Sequence, residues 1–260
     1  MKQHQLFISD THACAYLDGA KARTLFVDPQ SELTVADYGE LIDRGFRRSG
    51  AFLYRPGCER CRECLPTRLS VDRFQARRSQ RRIWEKWRSA ETIIRNPTFR
   101  DEHFALYNRY VDARHASGGM NDISEQRYLE FLTAPWCDTI FVEFRFEGRL
   151  AAVAVTDRLP QGLSAVYTFF DPDYAKLSPG VFAILWQIAE TRYLGLDWLY
   201  LGFLISGCQK MTYKSEYRPL QLFDYSRGQW LSHEERLPRD STIGISSIGA
   251  SHPGSGLTRE

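Results

Sequence analysis

The sequence predicts an α+β fold, a mixed sheet flanked by helices, joined to a basic, cysteine-containing N-terminal lobe. Three observations predict it. The second half of the chain reads strand, strand, strand, helix, strand, helix, strand, an order that suits a mixed sheet better than a bundle or a sandwich. Pro97 disfavours helix at Asn96 and places a boundary there. Of 260 residues, 43% are hydrophobic and 25% charged, which is enough apolar material for a sizeable core. The chain is therefore divided into an N-terminal lobe over 1–96, a C-terminal domain over 97–236 and a tail over 237–260. In the tail thirteen of 24 residues are Ser, Gly, Thr or Pro, so disorder is expected there. No apolar run approaches the roughly 18 residues of a membrane span, and Met1 to His4 lacks the order of a signal peptide. No membrane partner and a cytoplasmic location are expected.

In the first lobe, Arg23 to Val27 reads as a strand stopped by Asp28-Pro29. Val35 to Ile42 reads as a short helix ended near Gly45, and Ala51 to Tyr54 as a strand. A helix is expected from Asp101 to about Ala116, with Phe104, Tyr107 and Val111 at helical spacing. Strands over Thr139 to Phe146 and Leu150 to Asp157 flank a turn at Glu147-Gly148. Ser164 to Phe170 is a third strand, stopped by Asp171-Pro172. Ser178 suits an N-cap and Pro179 a first helical position, for a helix continuing over Val181 to Leu194 and closed by Gly195. Trp198 to Leu204 is a strand, Gln209 to Tyr217 a helix, and Leu220 to Tyr225 a last strand.

Net charge is only +2, yet Arg44 to Arg88 holds thirteen arginines and one lysine against four acids, leaving the rest of the chain net acidic. Guanidinium forks interleaved with Phe46, Tyr54, Trp84 and Trp87 suit a phosphate backbone with stacked bases. The competing reading is a solvated surface with internal ion pairs. Further along, Lys210, Lys214 and Arg218 fall at i, i+4 and i+8, so a helix there would carry a cationic row suited to an anion. The start of the helix at Ser178-Pro179-Gly180 would add free backbone N–H groups to such a site.

Cys58-x-x-Cys61-x-x-Cys64 places three thiols in one loop, too close for comfortable disulfides and dense enough to chelate zinc or an iron–sulfur cluster. Arg68 stands where a ferredoxin pattern would have its fourth thiol, so Cys14, with His12 beside it, is the candidate to complete the set. Cys137 and Cys208 read as single core thiols. Tyr167 to Phe170 is an aromatic strand closed by Asp171, a carboxylate placed to contact an amino group.

Several blocks together resemble a known family. They are Cys14-Ala15-Tyr16-Leu17, Thr24 to Pro29, Phe46 to Gly50, Tyr54-Arg55-Pro56 with the cysteine loop, Arg78 to Arg82, Arg114-His115 with Gly118-Gly119-Met120, Tyr167 to Pro172, and Lys210-Met211-x-Tyr213-Lys214. These span Cys14 to Pro219 and resemble the arginyl-tRNA–protein transferase family, most closely its bacterial aspartate/glutamate leucyltransferase branch. The resemblance implies a GNAT-like acyltransferase fold and transfer of leucine from leucyl-tRNA to proteins with N-terminal Asp or Glu, a step of the N-degron pathway. Ala13, Pro179 and Leu204 depart from the family pattern, and Leu204 bears on the donor pocket.

An aminoacyl ester is already activated, and a peptide amine with a pKa near 7.7 to 8 is partly neutral at physiological pH, so neither a covalent nucleophile nor a cofactor is required for the chemistry. The candidate catalytic residues are His115, Asp171 and Tyr167. Donor and tRNA contacts are expected from Lys210, Tyr213, Lys214, Arg218, Ser178, Gly180, Phe169 and Phe170. Arg47, Arg48, Arg81 and Arg114 are the candidates for the acceptor carboxylate. Other readings are an arginyl donor, an RNA-binding module without catalysis, and an aminoacyl-tRNA-dependent transferase acting on lipid or cell-wall precursors.

Overall fold

The structure is a computed structural model that describes residues 3–114 and 124–236. The chain begins with β1 (Leu6–Ile8), β2 (His12–Ala13), β3 (Lys21–Ala22), β4 (Thr24–Val27), α1 (Val35–Ile42), β5 (Arg47–Ser49), β6 (Phe52–Pro56), β7 (Leu65–Ser70), α2 (Arg78–Lys86) and β8 (Glu91–Arg95). There follow α3 (Asp101–Arg114), α4 (Glu125–Leu132), β9 (Asp138–Phe146), β10 (Arg149–Leu159) and β11 (Gly162–Phe170). A 3-10 turn over Pro172–Leu177 leads into α5 (Pro179–Tyr193) and then β12 (Trp198–Leu204) and α6 (Gln209–Thr212). A second 3-10 turn, Tyr213–Glu216, precedes β13 (Leu220–Asp224), β14 (Gln229–Ser232) and α7 (His233–Arg236).

The fold is mixed α+β, with one large mixed sheet flanked by helices. Eight strands run in the order β14-β13-β7-β12-β11-β10-β9-β8. Every neighbouring pair is antiparallel except β11 with β12, which is parallel. Sheet strands therefore lie on both sides of Asn96-Pro97, since β7 and β8 precede it. A second sheet, β1-β4-β6-β5, carries the N-terminal segment.

Local chemistry explains most of the boundaries. Thr34 and Asp37 form a reciprocal capping box at α1. Glu147 and Gly148 both take positive φ and turn the chain tightly between β9 and β10. Pro179 opens α5, and Gly195 at φ +68° closes it. Ser178 differs from the sequence expectation: it is left-handed (φ 57°), its hydroxyl caps nothing, and its carbonyl accepts the N–H groups of Val181 and Phe182 at 3.1 Å each.

Leu163, Ile184, Ile188 and Leu199 pack one side of the sheet against α5, while Tyr107, Tyr128, Phe141 and Phe169 fill the other against α3 and α4. Burying each such side chain contributes about 1.5–3 kcal/mol, which fixes the helices on the strands that frame the site. The parallel pair is short. Its register covers only Gly162 with Trp198, Leu163 with Leu199 and Ser164 with Tyr200, after which β11 follows β10 and β12 follows β7. The two strands thus part beyond Ser164, and a cleft opens in the middle of the sheet.

Candidate functional site

The cleft is a cavity of about 580 Å³. Ala165, Tyr167 and Phe170 of β11 form one wall, Leu201 and Gly202 of β12 the other, and the first turn of α5 closes one end with Ser178, Pro179 and Gly180. Lys210, Met211, Tyr213 and Lys214 cover the opposite side, and Arg114 with Tyr110 lies at the end of α3. Among its described lining residues are four basic side chains, Arg47, Arg114, Lys210 and Lys214, and no carboxylate. Val166, Val181 and Ile184 make part of the wall apolar. Charge, aromatic surface and a helix N-terminus meet in one space, an arrangement suited to an anion next to an apolar group.

Arg47 enters this space from β5, through the gap between the parted strands. Its Nη2 donates to the Ala165 carbonyl at 3.3 Å, while its Nη1 is buried and has no hydrogen-bond partner. Gly202 makes the entry feasible. Its φ is +83°, and a side chain there would overlap the guanidinium. Lys214 sits nearby, only 3% exposed, and its Nζ donates to Met211 Sδ at 3.1 Å. Burial first, and then the Arg47 charge, push its pKa down to about 7.

Several predicted residues meet here: Tyr167, Phe170, Ser178, Gly180, Arg47, Arg114, Lys210, Tyr213 and Lys214. Tyr167 is packed among Tyr107, Tyr110 and Phe131, and burial raises its pKa, so it stays a neutral wall rather than a base. The cationic row expected along one helix does not form. The helix stops at Thr212 and tightens to 3-10 geometry, which turns Lys214 inward while Lys210 stays exposed. Arg218 pairs instead with Glu234 at 3.2 Å.

Other assignments are corrected. Asp171 is buried and bound by Arg109 (2.7 and 3.0 Å), Arg149 (2.8 Å) and the Asp173 N–H (3.0 Å). Burial works to raise its pKa, but these donors outweigh it and hold it below the ordinary value, which leaves no lone pair facing the cavity for a substrate ammonium. Arg48 is a core residue, bidentate to Asp157 at 2.7 and 2.8 Å and donating to the carbonyls of Leu132 and Gly50. Arg81 lies on exposed α2, away from the cavity, in a shallow surface groove with Arg78, Arg82 and Lys86. Phe169 and Leu204 are buried in the two cores instead, Phe169 with Tyr107 and Tyr128 and Leu204 with Leu201 and Leu220, and neither lines the cavity. His115 lies outside the described residues, as do Gly118, Gly119, Met120 and the tail 237–260.

The thiols gather without forming a metal centre. Cys64 lies close enough to Cys14, Cys61 and Cys58 to feel their charge, and burial followed by these neighbours pushes its pKa up to about 12. Cys58, Cys61 and Cys64 line a cavity of about 240 Å³ with Ile8 and Tyr225. Among the described residues no three His, Cys, Asp or Glu side chains are arranged to hold a metal ion. The cysteines as placed do not make the expected coordination shell, and no chemical step is routed through a metal. Cys137, half-buried, has a pKa raised by burial, as expected of a core thiol.

Sequence reasoning did not single out Tyr16, Tyr54, Gly202 or Met211 as site residues. The signal for Tyr54 is its register opposite Arg47 across β5 and β6, which hairpin alternation places on one face. Gly202 carries a signal too, as an isolated glycine inside a strand pattern.

The described residues contain no helix long and apolar enough to cross a membrane. Family models of the arginine-tRNA-protein transferase match residues 12–82 with the N-terminal region and residues 102–224 with the C-terminal region. A curated relative from Alcanivorax borkumensis, an aspartate/glutamate leucyltransferase, is 48% identical over 91% of this chain and 96% of its own. Another of that name, from Alkalilimnicola ehrlichii, is 46% identical over 87% of this chain and 95% of its own. A solved structure of L-PGS from Bacillus licheniformis superposes with a TM-score of 0.43 at 13% identity, covering 55% of this chain and 47% of that one. The two family matches together cover most of the chain and all of the residues lining the cleft, and on them and on the two relatives the chain belongs to the arginine-tRNA-protein transferase family.

Proposed function

We propose that this protein transfers leucine from leucyl-tRNA to the α-amino group of proteins beginning with Asp or Glu, marking them for the N-degron pathway in the cytoplasm. The observation that carries this reading is a cavity with two arginines, two lysines, an apolar wall and no carboxylate among its described lining residues. An arginyl donor would need an anionic partner for its guanidinium, and a leucyl donor needs only the apolar wall of Val166, Val181 and Ile184. The acceptor's side-chain carboxylate fits Arg47, whose Nη1 is buried without a partner. Arg114 supports the same end of the site.

The parallel pair parted at the centre of a mixed sheet, with α5 beginning at the gap, supports a GNAT-like fold. In this reading the free N–H of Gly180 and exposed Lys210 receive the terminal phosphates of tRNA, and α2 with Arg78, Arg81 and Arg82 tracks phosphates farther along. The reaction needs proximity, a donor for the developing oxyanion and a proton acceptor. Incubating the protein with labelled leucyl-tRNA or arginyl-tRNA and peptides beginning Asp, Glu, Asn or Ala tests the reading. Label is expected only from leucyl-tRNA onto Asp and Glu peptides, and transfer from arginyl-tRNA alone would overturn the donor assignment.

A further inference from the structure

Lys214 is an unusual occupant of this cavity. A lysine that is 3% exposed normally has a carboxylate partner, because an unpaired buried ammonium is costly. None of the ion pairs among the described residues involves Lys214, and its nearest partners are Met211 Sδ at 3.1 Å and the Tyr213 ring at 4.8 Å. Arg47 faces it from β5, Cys208 from the start of α6 and Tyr213 from its own turn. Tyr16, Tyr54, Tyr110, Arg114, Tyr167 and Lys210 are the other titratable or charged residues of the same lining. A continued helix would have left Lys214 beside exposed Lys210. The 3-10 turn at Tyr213–Glu216 instead seats the amine inside.

We propose that Lys214 is the proton acceptor for the incoming α-ammonium, and that the acceptor's own side-chain carboxylate, seated at Arg47, supplies the counter-charge that lets Lys214 hold the proton. This rests on the acceptor reading given above. With the cavity empty, burial and Arg47 keep Lys214 largely neutral at physiological pH. A carboxylate arriving between Arg47 and Lys214 reverses that balance, since an opposite charge within about 4–6 Å favours the charged form. The α-ammonium of the acceptor then gives one proton to Lys214 Nζ and becomes a neutral amine. Its nitrogen attacks the ester carbonyl and forms the new C–N bond. As the C–O bond to the ribose breaks, the second N–H proton passes to the departing ribose oxygen, leaving an amide and a free hydroxyl, and Lys214 returns its proton to solvent.

The acidic side chain thereby serves both recognition and activation. An Asn or Gln acceptor fills the same shape without charging Lys214, so discrimination falls on kcat as well as on KM.

A ligand that carries the carboxylate but no amine tests this directly. A peptide whose first residue is N-succinyl, the deaminated counterpart of Asp, is titrated calorimetrically into the full-length protein at pH 7.5 in buffers of different ionisation enthalpy. Uptake of roughly 0.7 proton per site is expected for a group moving from a pKa near 7 to well above 8. Lys214→Met is expected to bind the peptide without uptake, and Lys214→Arg likewise, since its charge is fixed. The peptide ending in the matching amide should cause no uptake. Binding without proton uptake, or uptake unchanged in Lys214→Met, overturns the role of Lys214 and leaves the carboxylate pocket standing. Failure of the succinyl peptide to bind at all overturns both.

Discussion

The guanidinium of Arg47 occupies the space that any side chain on Gly202 would require. The two residues come from different sheets, and Arg47, with Tyr16 and Tyr54, brings the N-terminal segment to the cleft. Gly202→Ala should therefore act twice. It strains a backbone at φ +83°, at a cost of about 1–3 kcal/mol, and it displaces Arg47. Urea unfolding is expected to show the first effect, and peptide kinetics a loss of preference for Asp over Asn. A variant that keeps that preference would separate Gly202 from acceptor choice.

Adjacent arginines should behave oppositely. Arg48→Ala leaves Asp157 buried and unpaired and is expected to cost about 3–5 kcal/mol in denaturant unfolding. Arg47→Ala removes no carboxylate partner and should leave the unfolding midpoint nearly in place. Its effect belongs to kinetics, where loss of a charge-assisted pair corresponds to roughly ten- to more than hundredfold in kcat/KM for Asp peptides. Equal stability of the two variants would contradict the contrast.

Helix α2 presents Arg78, Arg81, Arg82 and Lys86 around one surface groove. Replacing Arg81 and Arg82 by alanine should weaken tRNA binding and lower the slope of log K against log salt by about 1.4–1.8, if both contact phosphate. An unchanged slope in filter binding would assign the tRNA path elsewhere.

Acid should loosen the far side of the sheet first. Glu143 is buried, and burial works to raise its pKa, but hydrogen bonds from Arg145, His103 and Arg95 outweigh it and bring it to about 2. His103, fully buried, is held below its ordinary value chiefly by burial. Both folded-state pKa values lie below the unfolded ones. Their contribution to stability is therefore complete above about pH 6.5 and lost as pH falls, first through His103 and then between about 4.5 and 2 through Glu143. Glu143→Gln should flatten this acid limb in a series of thermal melts from pH 7 to 3, and an identical limb would place the acid sensitivity elsewhere.

The elements legible in sequence were those with strong local punctuation. Val35–Ile42 and Trp198–Leu204 match the sequence expectation to the residue, the first a helical pattern that Gly45 closes, the second a run of large apolar side chains interrupted only at Gly202. β7 was not, because Pro66 argues against a central strand, yet Leu65–Ser70 lies between β12 and β13. Its place depends on partners more than a hundred residues away. The site shows the same division. Residue types and their neighbourhood pointed to Arg47, Tyr167 and Lys214, but only tertiary packing separates Arg47 from Arg48, since Asp157 consumes one and not the other. The inward turn of Lys214 is not legible in sequence, because the helical spacing of Lys210, Lys214 and Arg218 continues past Thr212 where the helix itself ends.

The three residue pairs between β11 and β12 divide the large sheet into two four-stranded leaves with a short hinge line. Helix α5 packs across that line, touching β10, β11 and β12. Load placed across the sheet is carried by this short seam, by α5 and by the core under α1, where Tyr38 and Leu159 pack with Tyr200. Any rotation about this seam is greatest at the strands farthest from it, so residues 162–164 and 198–200 define the line about which the cleft could widen or narrow.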